Sequence, residues 1–256
     1  MDRAAELEFA LSLADDADAI TLERFRARDL RVEAKPDLSP VSDADRRVEE
    51  ELRERIARER PDYAVLGEEY GTDGTAAARL VLDPIDGTRN FVRGIPVWAT
   101  LIALEHDGRA EVAVVSAPAL GRRWWALRGG GAFADGERLA VSGVTRVEDA
   151  VVSCTSIRSF DALGLTESFL ALARRAWAAR GLGDFWQHML VAEGAVDVAL
   201  DPGLEQWDWA APRLVVEEAG GRMSDFAGAK LAGKANTLSS NGLLHDEILR
   251  SLTGTR

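Results

Sequence analysis

The sequence predicts a soluble mixed α/β protein, and three observations carry that prediction. Apolar residues recur at near-helical spacing in several segments, as in Leu7, Leu11 and Ala14, or Val48, Leu52 and Ile56. Short apolar runs bounded by turn residues, such as Leu80-Val81-Leu82, read instead as buried strands. An apolar content of 46% against 29% charged residues is that of a chain able to bury a core. At 256 residues it can form one large domain or two small ones. A change of texture near residues 140–150 suggests an N-terminal region, 1–145, and a C-terminal region, 146–256.

Several classes are excluded early. A formal charge of −12 argues against a general nucleic-acid binder, which needs a basic face. Cys154 is alone, so there is no intrachain disulfide and no cysteine-based zinc site; it reads as a small core residue. His106, His188 and His245 show no metal-ligand spacing. Acidic residues among the first apolar ones argue against a secretory signal, and the apolar run Val97 to Leu104 is too short to span a bilayer. The expectation is a cytoplasmic protein without membrane or nucleic-acid partners.

In chain order, residues 3–28 read as a helix with Leu22 and Phe25 continuing its apolar face. Lys35 to Pro40 is a Pro-punctuated loop. Ser42 opens a second helix, and Asp45 three residues later completes a capping box. Tyr63 to Leu66 is a short strand running into Gly67-Glu68-Glu69, and 72–78 is a small-residue loop. Pro96 to Glu105 and Arg109 to Ala117 are strands joined by the turn His106-Asp107-Gly108, and Arg122 to Leu127 is another. Gly129-Gly130-Gly131 lacks the Lys-Ser/Thr of a P-loop and reads as a turn. Val151 to Cys154 is a strand. Glu167 to Ala179 is a helix with Phe169, Leu170, Ala173 and Trp177 as core candidates. A helix over 184–193, a strand from Ala195 to Leu200 ending at Asp201, and a helix from Trp207 to Gly220-Gly221 follow. Thr237 to Ser240 and Leu243 to Leu252 close the chain as strand and helix.

The chemistry concentrates in Asp83-Pro84-Ile85-Asp86-Gly87-Thr88, directly after the buried strand. Two carboxylates there need a cation or strong donors. Glu68 stands at the end of the preceding strand and Asp208 in a helix first turn, where its plain role is to favour the dipole. Carboxylates without Cys or His suit hard cations, chiefly magnesium. Gly87 and Thr88 offer backbone N–H groups to a phosphate. Together these point to phosphoester hydrolysis. A phosphatase with an aspartyl-phosphate intermediate carries Asp-x-Asp; here two residues separate the aspartates, which favours attack by metal-activated water over a phosphoenzyme.

Gly67-Glu68-Glu69, the Asp83 to Thr88 motif with Asn90-Phe91, and Trp207-Asp208 with Glu218-Ala219-Gly220-Gly221 resemble the signatures of the inositol monophosphatase family, in order and over nearly the whole chain. The resemblance implies an α-β-α-β-α layered sandwich, a homodimer, lithium sensitivity and two or three Mg²⁺ ions. It implies that Glu68, Asp83, the Ile85 carbonyl, Asp86 and Asp208 hold those ions, and that Asp45 orients Thr88, which with Glu68 positions the attacking water. Within the family the chain is most similar to actinobacterial histidinol-phosphate phosphatases, through Lys35 to Asp45, Asn90 to Trp98, Ser116 to Leu120 with Trp124-Trp125, and Asn241 to Glu247. That similarity implies hydrolysis of the phosphomonoester L-histidinol phosphate in histidine synthesis. Inositol 1-phosphate, fructose 1,6-bisphosphate and phosphoadenosine nucleotides remain alternatives, and a silent metal-binding scaffold is a rival of another class. Asp86, Gly87, Thr88 and Asp208 are candidates for the phosphate side of the substrate. Asp201, the family's substrate-hydroxyl carboxylate, stands with Asp184 and Arg180, and with Glu205 and Trp186, as candidates for the leaving group.

Overall fold

The computed structural model describes residues 1–253. Its first half is α1 (Arg3–Arg24), β1 (Val32–Ala34), β2 (Pro40–Ser42), α2 (Asp43–Glu59), β3 (Ala64–Gly67), β4 (Gly71–Asp73), β5 (Ala78–Asp86), α3 (Thr88–Val92), β6 (Ala99–His106), β7 (Arg109–Ala117), β8 (Arg122–Leu127), β9 (Gly131–Ala134) and β10 (Glu137–Arg138). The second half is β11 (Val151–Cys154), α4 (Ile157–Leu163), α5 (Thr166–Arg175), β12 (Ala178–Arg180), α6 (Asp184–Ala192), β13 (Val198–Leu204), α7 (Gln206–Glu218), β14 (Arg222–Asp225), β15 (Ala235–Ser240) and α8 (His245–Thr253).

Two sheets form. One runs β10-β9-β8-β7-β6-β5-β3-β4 and the other β12-β11-β13-β15-β14. Their faces are covered in layers. Leu13, Ala17, Val48, Leu52 and Ile56 of α1 and α2 pack on Leu80, Leu82, Ile102 and Val114 of the first sheet. The opposite face of that sheet meets Phe185, Met189, Leu214 and Val215 of α6 and α7, and Ala199 of the second sheet joins the same cluster. Phe160, Phe169 and Ile248 of α4, α5 and α8 cover the outer face of the second sheet with Val152, Val198 and Leu238. The order is therefore α-β-α-β-α, as the sequence suggested. Each sheet buries both faces, which explains the continuous apolar runs of β5 and β6.

The elements differ from expectation where long-range packing decides. α1 stops at Arg24, where Phe25 turns extended at ψ of 121° and Arg26 follows with a left-handed φ of 61°, and Leu22 is 49% exposed rather than in the core. The loop from Lys35 closes a β1–β2 hairpin. Residues 71–73 pair with β3. β6 begins at Ala99, not Pro96. The helix expected over 167–179 ends at Arg175 and the chain turns into edge strand β12, leaving Trp177 72% exposed. β13 starts at Val198 and continues past Asp201 to Leu204. Short elements such as α3, α4, β9, β10, β12 and β14 carry no clear periodicity of their own.

Candidate active site

The Asp83 motif is not a loop after β5 but the last part of that strand. Asp83 pairs with Leu101 and Asp86 with Ala99, so three steps on β5 match two on β6. This bulge accommodates Pro84, which has no N–H to give to a ladder, and turns the strand end. Inside it, Ile85 N–H donates to Asp83 Oδ1 (3.0 Å) and Thr100 Oγ1 donates to the Pro84 carbonyl (2.8 Å). Gly87 follows with φ of 84°; a Cβ there would sit 3.1 Å from Val97 O and 3.4 Å from Asp184 Oδ2. The left-handed residue starts α3, and Thr88 Oγ1 comes within 2.9 Å of Ile85 O and 3.2 Å of Asp45 Oδ1.

Parallel pairing sets Gly67 of β3 opposite Leu82 of β5. Glu68 is thereby carried beside Asp83, and its N–H reaches Leu82 O (3.3 Å). Asp208 arrives from the second half of the chain on the first turn of α7. There its Oδ2 accepts Glu205 N–H (2.7 Å), so it caps the helix while facing the cluster. One carboxylate oxygen from each of Asp83, Asp86 and Asp208 lies within 4.8 Å of the others.

Such closeness is electrostatically costly. Burial, with the charges of Glu68, Asp86 and Asp208, holds the Asp83 carboxyl well above the usual carboxylate range. Burial and the nearby Asp184 and Asp208 do the same to Asp86, whose Oδ2 accepts Phe185 N–H (2.6 Å). Burial and Glu68 push Asp208 up to about 7. The donor set is all oxygen, and the carboxylates of Asp83, Asp86 and Asp208 crowd together. The residues therefore fit a hard divalent ion.

Asp45 closes the helix cap and also faces Thr88. Ser42 N–H donates to its Oδ2 (2.8 Å) in a complete capping box, while Oδ1 faces Thr88. Burial, outweighing the Ser42 bonds, raises its pKa to about 6. Asp184 and Asp201 are close enough to Asp86 to help raise its pKa. Asp201 accepts from Thr155 Oγ1 and from Gln187 Nε2 (3.0 Å). Asp184 has a left-handed φ of 49°; its N–H donates to Thr155 Oγ1 (3.1 Å) and its Oδ2 accepts from Asn90 Nδ2 (3.2 Å). Arg180 is exposed on β12 and its guanidinium turns to the adjacent Ala179 carbonyl. Glu205 is drawn to Lys234 (2.8 Å).

Sequence reasoning missed three supports. Lys35 Nζ bridges Glu68 Oε1 and Glu69 Oε1, both at 2.7 Å. The buried Glu49 accepts N–H bonds from Glu69 (2.7 Å) and Tyr70 (3.2 Å), fixing the turn that carries Glu68. Thr155 and Gln187 hold Asp201. The one local signal was Glu49, an acid beside Val48 on the buried side of α2 and four residues before Arg53, to which it is paired (2.8 Å). Cys154 is buried in the outer core, and burial pushes its thiol up to about 11, which fits a packed structural thiol.

The family model described as "Inositol monophosphatase family" matches residues 2–254. The chain is 51% identical to a histidinol-phosphatase of Mycobacterium tuberculosis, over 96% of this chain and 97% of that one. It is 48% identical to a histidinol-phosphatase of Streptomyces coelicolor, over 95% of each. Its fold superposes on the Thermotoga maritima IMPase with a TM-score of 0.89 at 32% identity, covering 99% of this chain and 98% of that one.

Proposed function

The chain belongs to the inositol monophosphatase family and is a phosphoric monoester hydrolase, and on that premise we propose that its substrate is L-histidinol phosphate, hydrolysed with magnesium to L-histidinol and phosphate. The observation that carries the chemistry is the meeting of Asp83, Asp86 and Asp208 within 4.8 Å, beside Glu68 and the Thr88–Asp45 pair. The names and high identity of the actinobacterial relatives support the substrate.

In this proposal Glu68, Asp83, the Ile85 carbonyl, Asp86 and Asp208 hold two or three ions. Bound there, magnesium would draw charge from the phosphate oxygens and make water a better nucleophile. The protein's part is orientation. The Thr88 proton has acceptors in Asp45 and Ile85, so its oxygen lone pairs are left to accept from a water and aim it. Ser42 fixes Asp45, and the capping bond fixes Asp208. The N–H groups at Gly87 and Thr88 serve the phosphate. Asp201 and Asp184 accept hydrogen bonds from the ammonium or imidazole of the leaving group, each held in place by Thr155. Arg180 has no part in this arrangement. The bulged Asp83–Asp86 spacing supports direct displacement by water rather than a phosphoenzyme.

Phosphate release from L-histidinol phosphate, inositol 1-phosphate and fructose 1,6-bisphosphate, each with magnesium, tests the substrate. The highest kcat/KM is expected for histidinol phosphate; a preference for either of the others would overturn it. A homodimer in the cytoplasm completes the proposal, with light scattering and cell fractionation as its measurements. No helix among the described residues is long and apolar enough to cross a membrane.

A further inference from the structure

A cavity of about 570 Å³ lies between the first sheet, α7 and the segment after β14. None of Glu68, Asp83, Asp86 or Asp208 lines it. Its volume is in the range of small-molecule sites, about 300–1,000 Å³. Its charge sets it apart from the rest of the chain. The protein carries −12 overall, yet this cavity is lined by Arg79, Arg109, Arg128, Arg213 and Lys230 against only two acids, Glu105 and Glu217.

The two acids do not exhaust the donors. Glu105 takes one Nη of Arg79 (2.6 Å), and Glu217 takes Nε of Arg213 (2.7 Å) and Nη1 of Arg128 (2.9 Å). A guanidinium has five N–H groups, so each of these arginines keeps further donors beyond its acidic partner. Arg109 is 64% exposed and its nearest carboxylate, Glu111, is 4.0 Å away. Lys230 is exposed at the rim. The cations also come from two sides. Arg79 and Arg109 belong to the sheet and Arg128 follows β8 directly, while Arg213 belongs to α7 and Lys230 to the segment after β14. A single small anion would meet one side; a ligand with linked anionic groups would meet both.

We propose that this cavity is a second ligand site, distinct from the catalytic one, for a small molecule bearing a diphosphate or comparable linked phosphates. Guanidinium forks match phosphate oxygens in geometry as well as charge. The apolar floor is Trp209, whose indole N–H is tied to Gly233 O (2.9 Å). Trp209 and Gln206, both in the lining, flank Asp208 on the first turn of α7, so the new site and the catalytic site share one helical turn.

Pyrophosphate is the probe, titrated into the 256-residue chain by calorimetry with a chelator present, so that the acidic cluster repels anions. Saturable one-to-one binding is expected, with movement of the Trp209 indole N–H cross-peak, assigned by Trp209→Phe. The double variant Arg109→Glu/Lys230→Glu changes only exposed side chains. It should keep the wild-type melting midpoint and lose affinity by about tenfold or more. Absence of saturable binding, a stationary Trp209 signal, or unchanged affinity in the double variant would overturn the proposal. If that variant melts early, Arg213→Gln, judged by the same titration, decides in its place.

Discussion

Thr88 Oγ1 lies 3.2 Å from Asp45 Oδ1 and 2.9 Å from Ile85 O, so a residue of the second helix reaches the hydroxyl at the end of the central strand. The pair links α2, β5 and α3. It also leaves the hydroxyl oxygen free to accept a hydrogen bond, which is what aiming a water requires.

The first prediction follows from that geometry. Thr88→Val removes the hydroxyl with little change in volume and should lower kcat by about 10²–10⁴-fold, the usual worth of a positioned proton-handling group, with KM nearly unchanged. Asp45→Asn should cost less, because it disturbs only the orientation of Thr88. Steady-state kinetics at saturating magnesium reads both; a larger loss for Asp45→Asn would contradict the order of roles.

Asp83 is a liability without a cation and an asset with one. Burial and three neighbouring carboxylates raise its pKa. In chelator, Asp83→Asn should raise the melting midpoint by relieving that repulsion. With magnesium the order should reverse, since wild type gains about 2.7 kcal/mol at a hundredfold excess over Kd and the variant loses most of that gain. Turnover of the variant should nearly vanish. Thermal scans with and without magnesium give the sign directly.

Gly67 is required by Glu49. A Cβ at Gly67 would stand 2.0 Å from Glu49 Oε1, and that carboxylate is buried and committed to the N–H groups of Glu69 and Tyr70. Gly67→Ala should therefore destabilise the fold by about 1–3 kcal/mol through overpacking. It should also lower kcat/KM, because the displaced carboxylate frees the turn that carries Glu68. Urea unfolding and kinetics on the same preparation check the two effects together.

Two histidines should resist protonation. Burial depresses His188 to about 4, and burial with the charge of Arg222 depresses His245 to about 4, against about 6.5 for a free imidazole. His245 is bonded on both nitrogens, to Ser224 and Ser240 (2.8 Å each). Because the unfolded chain binds these protons first, their contribution to stability is complete above about pH 6.5 and is lost as pH falls toward 4. Imidazole carbon–proton spectra should show both rings neutral at pH 5.5. Titration of either near 6.5 would contradict its depressed pKa.

Local sequence determined much of this protein. The capping box at Ser42 and Asp45, the apolar faces of α1 and α2, and the helix end at Gly220-Gly221 depend on neighbours within a turn or two, and each is legible as spacing. In the Asp83-Pro84-Ile85-Asp86-Gly87-Thr88 motif the crowded carboxylates and the turn glycine are legible for the same reason, whereas the bulge that carries them depends on pairing with β6.

Tertiary structure decided what those residues face. Glu68 meets Asp83 because β3 runs parallel to β5 in one register, and a shift of one residue would turn Glu68 to the other face. Asp208 joins them because α7 packs between two sheets whose order no local pattern encodes. Trp177, apolar and in helical phase, is exposed because α5 ends early and β12 begins. Lys35, Thr155 and Gln187 reach their acids across 33, 46 and 14 residues. Periodicity reports which side of an element is apolar; only the packing of layers fixes which elements meet, and the site is made where they do.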